Sequence, residues 1–213
     1  MTAPDHAQAR CSEGRRGLLV SLDGPGGAGK TTLAAAITAR LHRDGIAATH
    51  TTQPSHGPIG QLARAGTHQY RGLTLACLVA ADRYHHLDTQ IRPALAAGHI
   101  VICDRYTPSS HVLQVLDGVD PAFVALLNQH ADPPDLAVIL TCDPGELTRR
   151  LTARGSHGRF EDDPGLPALE ATAYRRVIDR LTCPALVLDS TDSDTRSLTT
   201  QVVNAIKALP SAP

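Results

Sequence analysis

The 213-residue chain contains no tryptophan, one methionine and only 3% aromatic residues. Flat side chains on which a base or sugar ring would stack are therefore scarce. Lysine is scarcer than its partner cation: Lys30 and Lys207 stand against eighteen arginines. Any cationic surface has to be built from guanidinium groups, and a net charge of −1 gives no electrostatic case for nucleic acid or an anionic membrane as partner. No apolar run reaches the length of a transmembrane helix. The five cysteines (Cys11, Cys77, Cys103, Cys142, Cys183) are widely spaced, odd in number and without a C-x-x-C pair, so neither a disulfide framework nor a zinc site organises the fold. Three of them sit in apolar runs and read as buried free thiols of a cytoplasmic protein. Residues 1–16 are polar, lack the apolar segment of a signal peptide and read as a disordered tail. Eleven histidines are scattered, and the one adjacent pair, His85-His86, would point in different directions on a helix.

What remains is an ordinary globular composition, 42% apolar and 19% charged, expected to form one domain over residues 17–209. Five short apolar runs alternate with helical patterns: 17–22, 46–51, 99–103, 136–141 and 185–188. The third and fourth are continuously apolar, as in strands buried on both faces of a parallel sheet. The pattern predicts an α/β three-layer sandwich, a parallel sheet flanked by helices, with ligands beyond the carboxyl ends of the strands. Long helices are expected at 30–43, 72–97 with a break at Pro93, 144–153, 166–181 and 195–209.

The first run leads into Gly24-Pro25-Gly26-Gly27-Ala28-Gly29-Lys30-Thr31, followed by Thr32 and a helical pattern with Leu33, Ile37 and Leu41 on one face. Strand, G-x-x-x-x-G-K-[ST] and helix in that order are the spacing and context of a phosphate-binding loop. Glycines let successive N–H groups turn inward toward phosphate oxygens, and the helix start adds its positive dipole end. Lys30 would reach the β- and γ-phosphates and the Thr31 hydroxyl would ligate Mg²⁺. Asp104 ends the third strand, where such proteins place the carboxylate that holds the metal through water, with Arg105 beside it. Arg150 and Arg154 share a helical face, and Arg159 follows across a glycine-flanked tip, so 150–162 reads as an arginine-bearing lid over a triphosphate.

These pieces, together with Ala81-Asp82-Arg83, Ile91-Arg92-Pro93-Ala94-Leu95, Asp104-Arg105-Tyr106, Ser109-Ser110, Pro134-Asp135-Leu136, Asp143-Pro144 and Arg159-Phe160-Glu161, resemble the thymidylate kinase family over nearly the whole span from Gly17 to Leu209. The resemblance implies a homodimeric P-loop kinase with a five-stranded parallel sheet. It would move the γ-phosphoryl group of Mg-ATP onto the phosphate of a deoxynucleoside monophosphate, dTMP or a related pyrimidine nucleotide by default. By that analogy Arg105 grips the acceptor phosphate, assisted by Arg64, and Arg83 reaches a carbonyl of the acceptor base. Ser110 and Gln114 fall among the substrate-binding positions, and Arg150, Arg154 and Arg159 form the lid.

Four positions depart from the family pattern. Gly26 stands where members carry an acid that reads the sugar 3′-hydroxyl, Val79 where they stack a phenylalanine on thymine, Leu113 where many place a tyrosine, and Thr52 where an arginine is common. Three of the four touch the nucleoside part of the acceptor. They leave two readings beside the default: an alignment displaced by a residue, or a pocket rebuilt for another phosphorylated nucleotide-like or sugar-phosphate acceptor. A non-catalytic ATP-binding switch would need Lys30 and Thr31 but has no use for the lid arginines or for Arg105.

Overall fold

The computed structural model describes residues 16–155, 159–162 and 165–210. The expected tail lies outside the described residues apart from Arg16, and so does most of the expected lid tip, 156–158.

Five strands form one parallel sheet: β1 (Leu19–Asp23), β2 (Ala48–Thr52), β3 (Ile100–Asp104), β4 (Leu136–Thr141) and β5 (Ala185–Asp189), in the spatial order β2-β3-β1-β4-β5. β1 and β3 are buried at every residue, whereas the edge strands β2 and β5 are largely half-buried or exposed. That difference explains why β3 reads as an unbroken apolar run up to Cys103. The helices are α1 (Lys30–Arg43), α2 (Pro58–Ala65), α3 (Gly72–His86), α4 (Arg92–Ala96), α5 (Thr107–Leu116), α6 (Pro121–Asn128), α7 (Pro144–Arg154), α8 (Arg159–Asp162), α9 (Leu166–Ile178) and α10 (Thr195–Ala208).

Side-chain alternation along each strand divides the core between the two faces of the sheet. Val20, Leu22, Ile102, Val138 and Leu140 pack with Leu33, Ile37 and Leu41 of α1 and with Val202, Val203 and Ile206 of α10. Their neighbours point the other way: Leu19, Val101 and Cys103 meet Leu87, Ile91, Leu95 and Tyr106, and Ala137 and Ile139 meet Val112 and Tyr174. Each fully buried aliphatic side chain contributes on the order of 1.5–3 kcal/mol, so the two layers hold the sheet from both sides.

The helical pattern over 72–97 is interrupted earlier than Pro93. α3 ends at His86, a π-helical segment spans Leu87–Ile91, and α4 starts at Arg92 with the proline in its first turn. A proline there lacks only an N–H that a helix start leaves unbonded, so the break falls upstream of it. The helix expected to reach 181 stops at Ile178. Among the described cysteines Cys103 and Cys142 are buried and Cys183 is partly buried, whereas Cys77 is exposed, so burial does not hold for all of the free thiols.

β1 lies between β3 and β4, so the chain passes to one side of it for β2 and β3 and to the other for β4 and β5. A reversal of this kind opens a crevice at the carboxyl end of the central strand. The loop after β1 starts there, and Asp104, which ends β3, and Arg105, which follows it, stand there too.

Candidate active site

The loop between β1 and α1 curls because its glycines adopt backbone angles closed to other residues. Gly24 has φ +144°, and a Cβ on it would lie 2.4 Å from the Leu140 carbonyl oxygen. Gly29, which caps α1, has φ +90°. Lys30 opens the helix and folds back over the loop, donating from Nζ to the Pro25 carbonyl at 2.7 Å. It is only 6% exposed. Burial, with Arg105 adding repulsion, lowers its pKa from 10.5 to about 8, and Asp104, Glu170 and Asp23 offset part of that. A cation this poorly accommodated without a ligand is one that an incoming polyanion would stabilise.

The Thr31 hydroxyl donates to Asp104 Oδ2 at 2.5 Å, bringing two oxygens together beside the loop. Such a hard-oxygen pair suits Mg²⁺, which takes one or two protein ligands and completes its shell from water and phosphate. Among the described residues no group of three or more His, Cys, Asp or Glu comes together to hold an ion on its own.

Arg105 occupies the left-handed backbone region at φ +68°, the one residue other than glycine to do so among those described. That conformation costs roughly 1–2 kcal/mol for an L-residue, and the neighbouring hydrogen bonds hold it in place. The Arg105 N–H donates to Leu22 O at 2.8 Å. The next amide, Tyr106 N–H, donates to Asp23 Oδ1 at 3.0 Å, and the Ser109 N–H and hydroxyl reach the same oxygen at 3.0 and 2.6 Å. The guanidinium, 3.4 Å from Gly24 O, is turned toward the loop. Burial works against its charge, but Tyr174, Glu170, Asp104 and Asp23 outweigh that and keep it protonated above the ordinary arginine value.

These groups line a cavity of about 550 Å³. Of the residues singled out in the sequence, Gly26, Gly27, Gly29, Lys30, Thr31 and Thr32 form its loop side, and Arg64, Asp104, Arg105 and Arg154 also face it. Val79, Arg83, Ser110, Leu113 and Gln114 form the far wall. The Arg83 guanidinium is 2% exposed and its partners are neutral: Gln53 Oε1 at 2.8 Å, Ser110 Oγ at 2.9 Å and Asn128 Oδ1. It also sits 5.3 Å from the centre of the Tyr106 ring. Burial pulls its pKa below the ordinary value. Gln114, nearly buried, keeps its Oε1 without a partner.

Gly24 and Ala28 shape the loop from behind and do not line the cavity. Two of the three expected lid arginines are also directed elsewhere. Arg150 donates to Glu146 Oε1 and to the carbonyls of Ser190 and Thr191, tying α7 to the segment after β5. Arg159 donates to Thr67 O and Asp117 Oδ1, both at 2.7 Å, and stacks on Phe160. Each finds an acidic or carbonyl partner nearer than the cavity, which sequence spacing alone does not reveal.

The family model described as Thymidylate kinase matches residues 22–193. The chain belongs to the thymidylate kinase family. A thymidylate kinase of Xanthomonas oryzae pv. oryzae (strain PXO99A) is 40% identical over 153 residues, covering 70% of this chain and 67% of the relative. A probable thymidylate kinase of Pyrobaculum calidifontis is 37% identical over 150 residues, 68% and 75% of the two chains. One from Xanthomonas campestris pv. campestris (strain B100) is 35% identical over 158 residues, 73% and 70%. For a thymidylate kinase family member, the cavity holds one residue that the sequence reading overlooked. Glu170 of α9 is 2% exposed, lines the cavity and accepts the Gly26 N–H at 2.8 Å. The signal was present in the spacing: Pro167, Glu170, Ala171 and Tyr174 form the buried stripe of α9, and a carboxylate in such a stripe has to serve something.

Proposed function

We propose that this protein transfers the γ-phosphoryl group of ATP to the 5′-phosphate of dTMP, giving ADP and dTDP. The observation that carries this reading is the arrangement of cations in one cavity. Lys30 stands at the loop, Arg105 is anchored beside it at the end of β3, and Arg83 lies in the far wall with only neutral partners. Two phosphate-directed cations and a third facing an uncharged region suit a triphosphate meeting a nucleoside monophosphate.

Lys30 and the loop amides would bind and neutralise the β- and γ-phosphates. Mg²⁺, held through Thr31 and Asp104, supplies further neutralisation of phosphate charge when bound. Arg105, with Arg64 on the same side, orients the acceptor phosphate for in-line attack, and Arg154 adds positive charge at the cavity mouth. An ionised phosphate oxygen is already nucleophilic, so the residues need only position it and exclude water. At the other end the Arg83 guanidinium suits the O4 acceptor of thymine, where cytosine carries an amino donor.

ADP release measured with dTMP, dUMP and dCMP tests the reading. The expected result is turnover on dTMP and dUMP well above that on dCMP, abolished in Lys30→Ala. Turnover on neither dTMP nor dUMP above background ATP hydrolysis would refute it.

A further inference from the structure

Resting on the dTMP reading, we propose that His86 is a positioning residue for acceptor choice: its Nδ1 holds the Gln53 amide in the one orientation that offers an oxygen to Arg83, and so fixes where the guanidinium points. His86 closes α3, is fully buried and does not line the cavity. Its Nδ1 lies 3.3 Å from Gln53 Nε2, and its Nε2 lies 2.8 Å from the Thr51 hydroxyl. Gln53 is itself 3% exposed, and its Oε1 accepts from Arg83 Nε at 2.8 Å. An arginine can only donate, so the side of the Gln53 amide that faces Arg83 is its oxygen and the side that faces His86 is its NH₂. That NH₂ needs an acceptor. Nδ1 therefore carries no proton, and the neutral ring has its N–H on Nε2, where the Thr51 hydroxyl accepts it. Burial favours the neutral ring by lowering its pKa from 6.5; Asp82 and the Gln90 side chain oppose that shift, and Arg83 and His56 add to it.

Arg83 also donates from Nη1 to Asn128 Oδ1 and from Nη2 to Ser110 Oγ, which leaves a donor on each terminal nitrogen for a ligand. The three partners differ in how firmly they are held. Asn128 donates its Nδ2 to the Val124 carbonyl at 2.7 Å, and a backbone oxygen can only accept, so that amide has one orientation. The Ser110 hydroxyl rotates to suit its neighbours. Gln53 meets the guanidinium at its root and is held by an imidazole, whose role depends on where its proton sits. With the proton on Nδ1, donor would face donor, and a Gln53 amide turned to relieve that would set its NH₂ against Arg83. His86 thus acts on the base end of the cavity through two side chains without touching a ligand.

The competing role is merely to fill space behind β2, and substitutes of different reach separate the two. His86→Leu removes the acceptor. It should raise KM for dTMP at least about tenfold, the factor lost with a hydrogen bond to a charged group, while KM for ATP stays within about twofold. The dTMP-to-dCMP ratio in kcat/KM should fall by at least about tenfold as well, because a guanidinium held loosely no longer tells a carbonyl from an amino group. His86→Asn places an amide oxygen as many bonds from Cα as Nδ1, and should return KM for dTMP to within about threefold of wild type. His86→Gln is nearer to histidine in volume, but its amide stands where Nε2 was, so it should leave KM for dTMP as high as in the leucine variant. Nitrogen NMR of the histidine rings at about pH 7 should show His86 protonated at Nε2 and bare at Nδ1. A proton on Nδ1, rescue by glutamine as good as by asparagine, or equal losses on dTMP and dCMP overturns the inference and leaves the dTMP reading standing. Wild-type protein inactive on dTMP removes that reading and this inference with it.

Discussion

Replacing Lys30 with methionine should make the ligand-free protein more stable while abolishing phosphoryl transfer. Burial lowers the lysine pKa from 10.5 to about 8. At 1.36 kcal/mol for each pH unit this corresponds to roughly 3 kcal/mol. The sign follows from linkage. Between pH 8 and 10.5 the unfolded chain binds more protons than the folded one, so wild-type stability rises with pH across that window. Below pH 8 the lysine is charged in both states and nearly the whole penalty bears on the fold. Methionine keeps the unbranched apolar stem and removes the ammonium group, but forfeits the 2.7 Å bond to Pro25 O, worth about 1 kcal/mol. The net gain at pH 7 is about 2 kcal/mol, or about 4–8 °C in melting temperature for a chain of this size.

Thermal unfolding without nucleotide at pH 7 and pH 9.5 reads this directly. The advantage of Lys30→Met should shrink at the higher pH. Adding Mg²⁺ and a non-hydrolysable ATP analogue should reverse the order, because ligand stabilises only the protein that binds it. A variant that melts at or below wild type at pH 7 without ligand would refute the reasoning that burial strains this cation until a polyanion arrives.

Two further predictions concern the strand-end pair. Arg105→Gly and Arg105→Ala remove the same guanidinium, and both should lower kcat at least about a hundredfold by loss of charge stabilisation. With φ at +68°, the glycine variant should nevertheless be more stable than the alanine variant by about 1 kcal/mol in urea titration, and equal stability would mean that the backbone there is not strained. Asp104→Asn leaves the Thr31 contact a neutral acceptor, so half-maximal activity should need at least about tenfold more Mg²⁺. An unchanged metal titration would remove Asp104 from the metal site.

The loop side of the cavity was legible in the sequence and its far wall only in part, for a physical reason. Gly24 to Thr31 are consecutive and their turn rests on glycine backbone angles, so their geometry is written in adjacent residue types. The far wall is assembled from side chains on separate elements. Arg83 of α3 meets Gln53 after β2, Ser110 of α5 and Asn128 of α6, and no spacing rule links those positions. Val79 and Leu113 face the same cavity as Arg83, so the two apolar departures stand at the pocket. Glu170 was missed because a single acid in an amphipathic helix looks like a surface residue until the buried stripe is traced. Arg150 and Arg159 show the opposite failure. Their types and spacing suit a lid, but Glu146 and Asp117 are invisible to an argument that counts cations alone.

The relative placement of the two segments proposed to grip phosphate depends on the sheet. β1 and β3 are paired with Leu22 opposite Asp104, so Arg105 leaves β3 one residue past this rung and the loop leaves β1 two residues past it, at Gly24. Asp23 then ties them together. It closes the strand that launches the loop, and its Oδ1 holds the two amides, Tyr106 and Ser109, that fix the turn carrying Arg105. Both cation-bearing segments are thereby referred to one fully buried carboxylate. An in-line transfer loses rate steeply when reacting atoms are displaced by about 1 Å, and a rigid sheet register holds such a distance better than hinged loops do. On the proposed reading, the approach of acceptor to donor is therefore set by the register of β1 and β3.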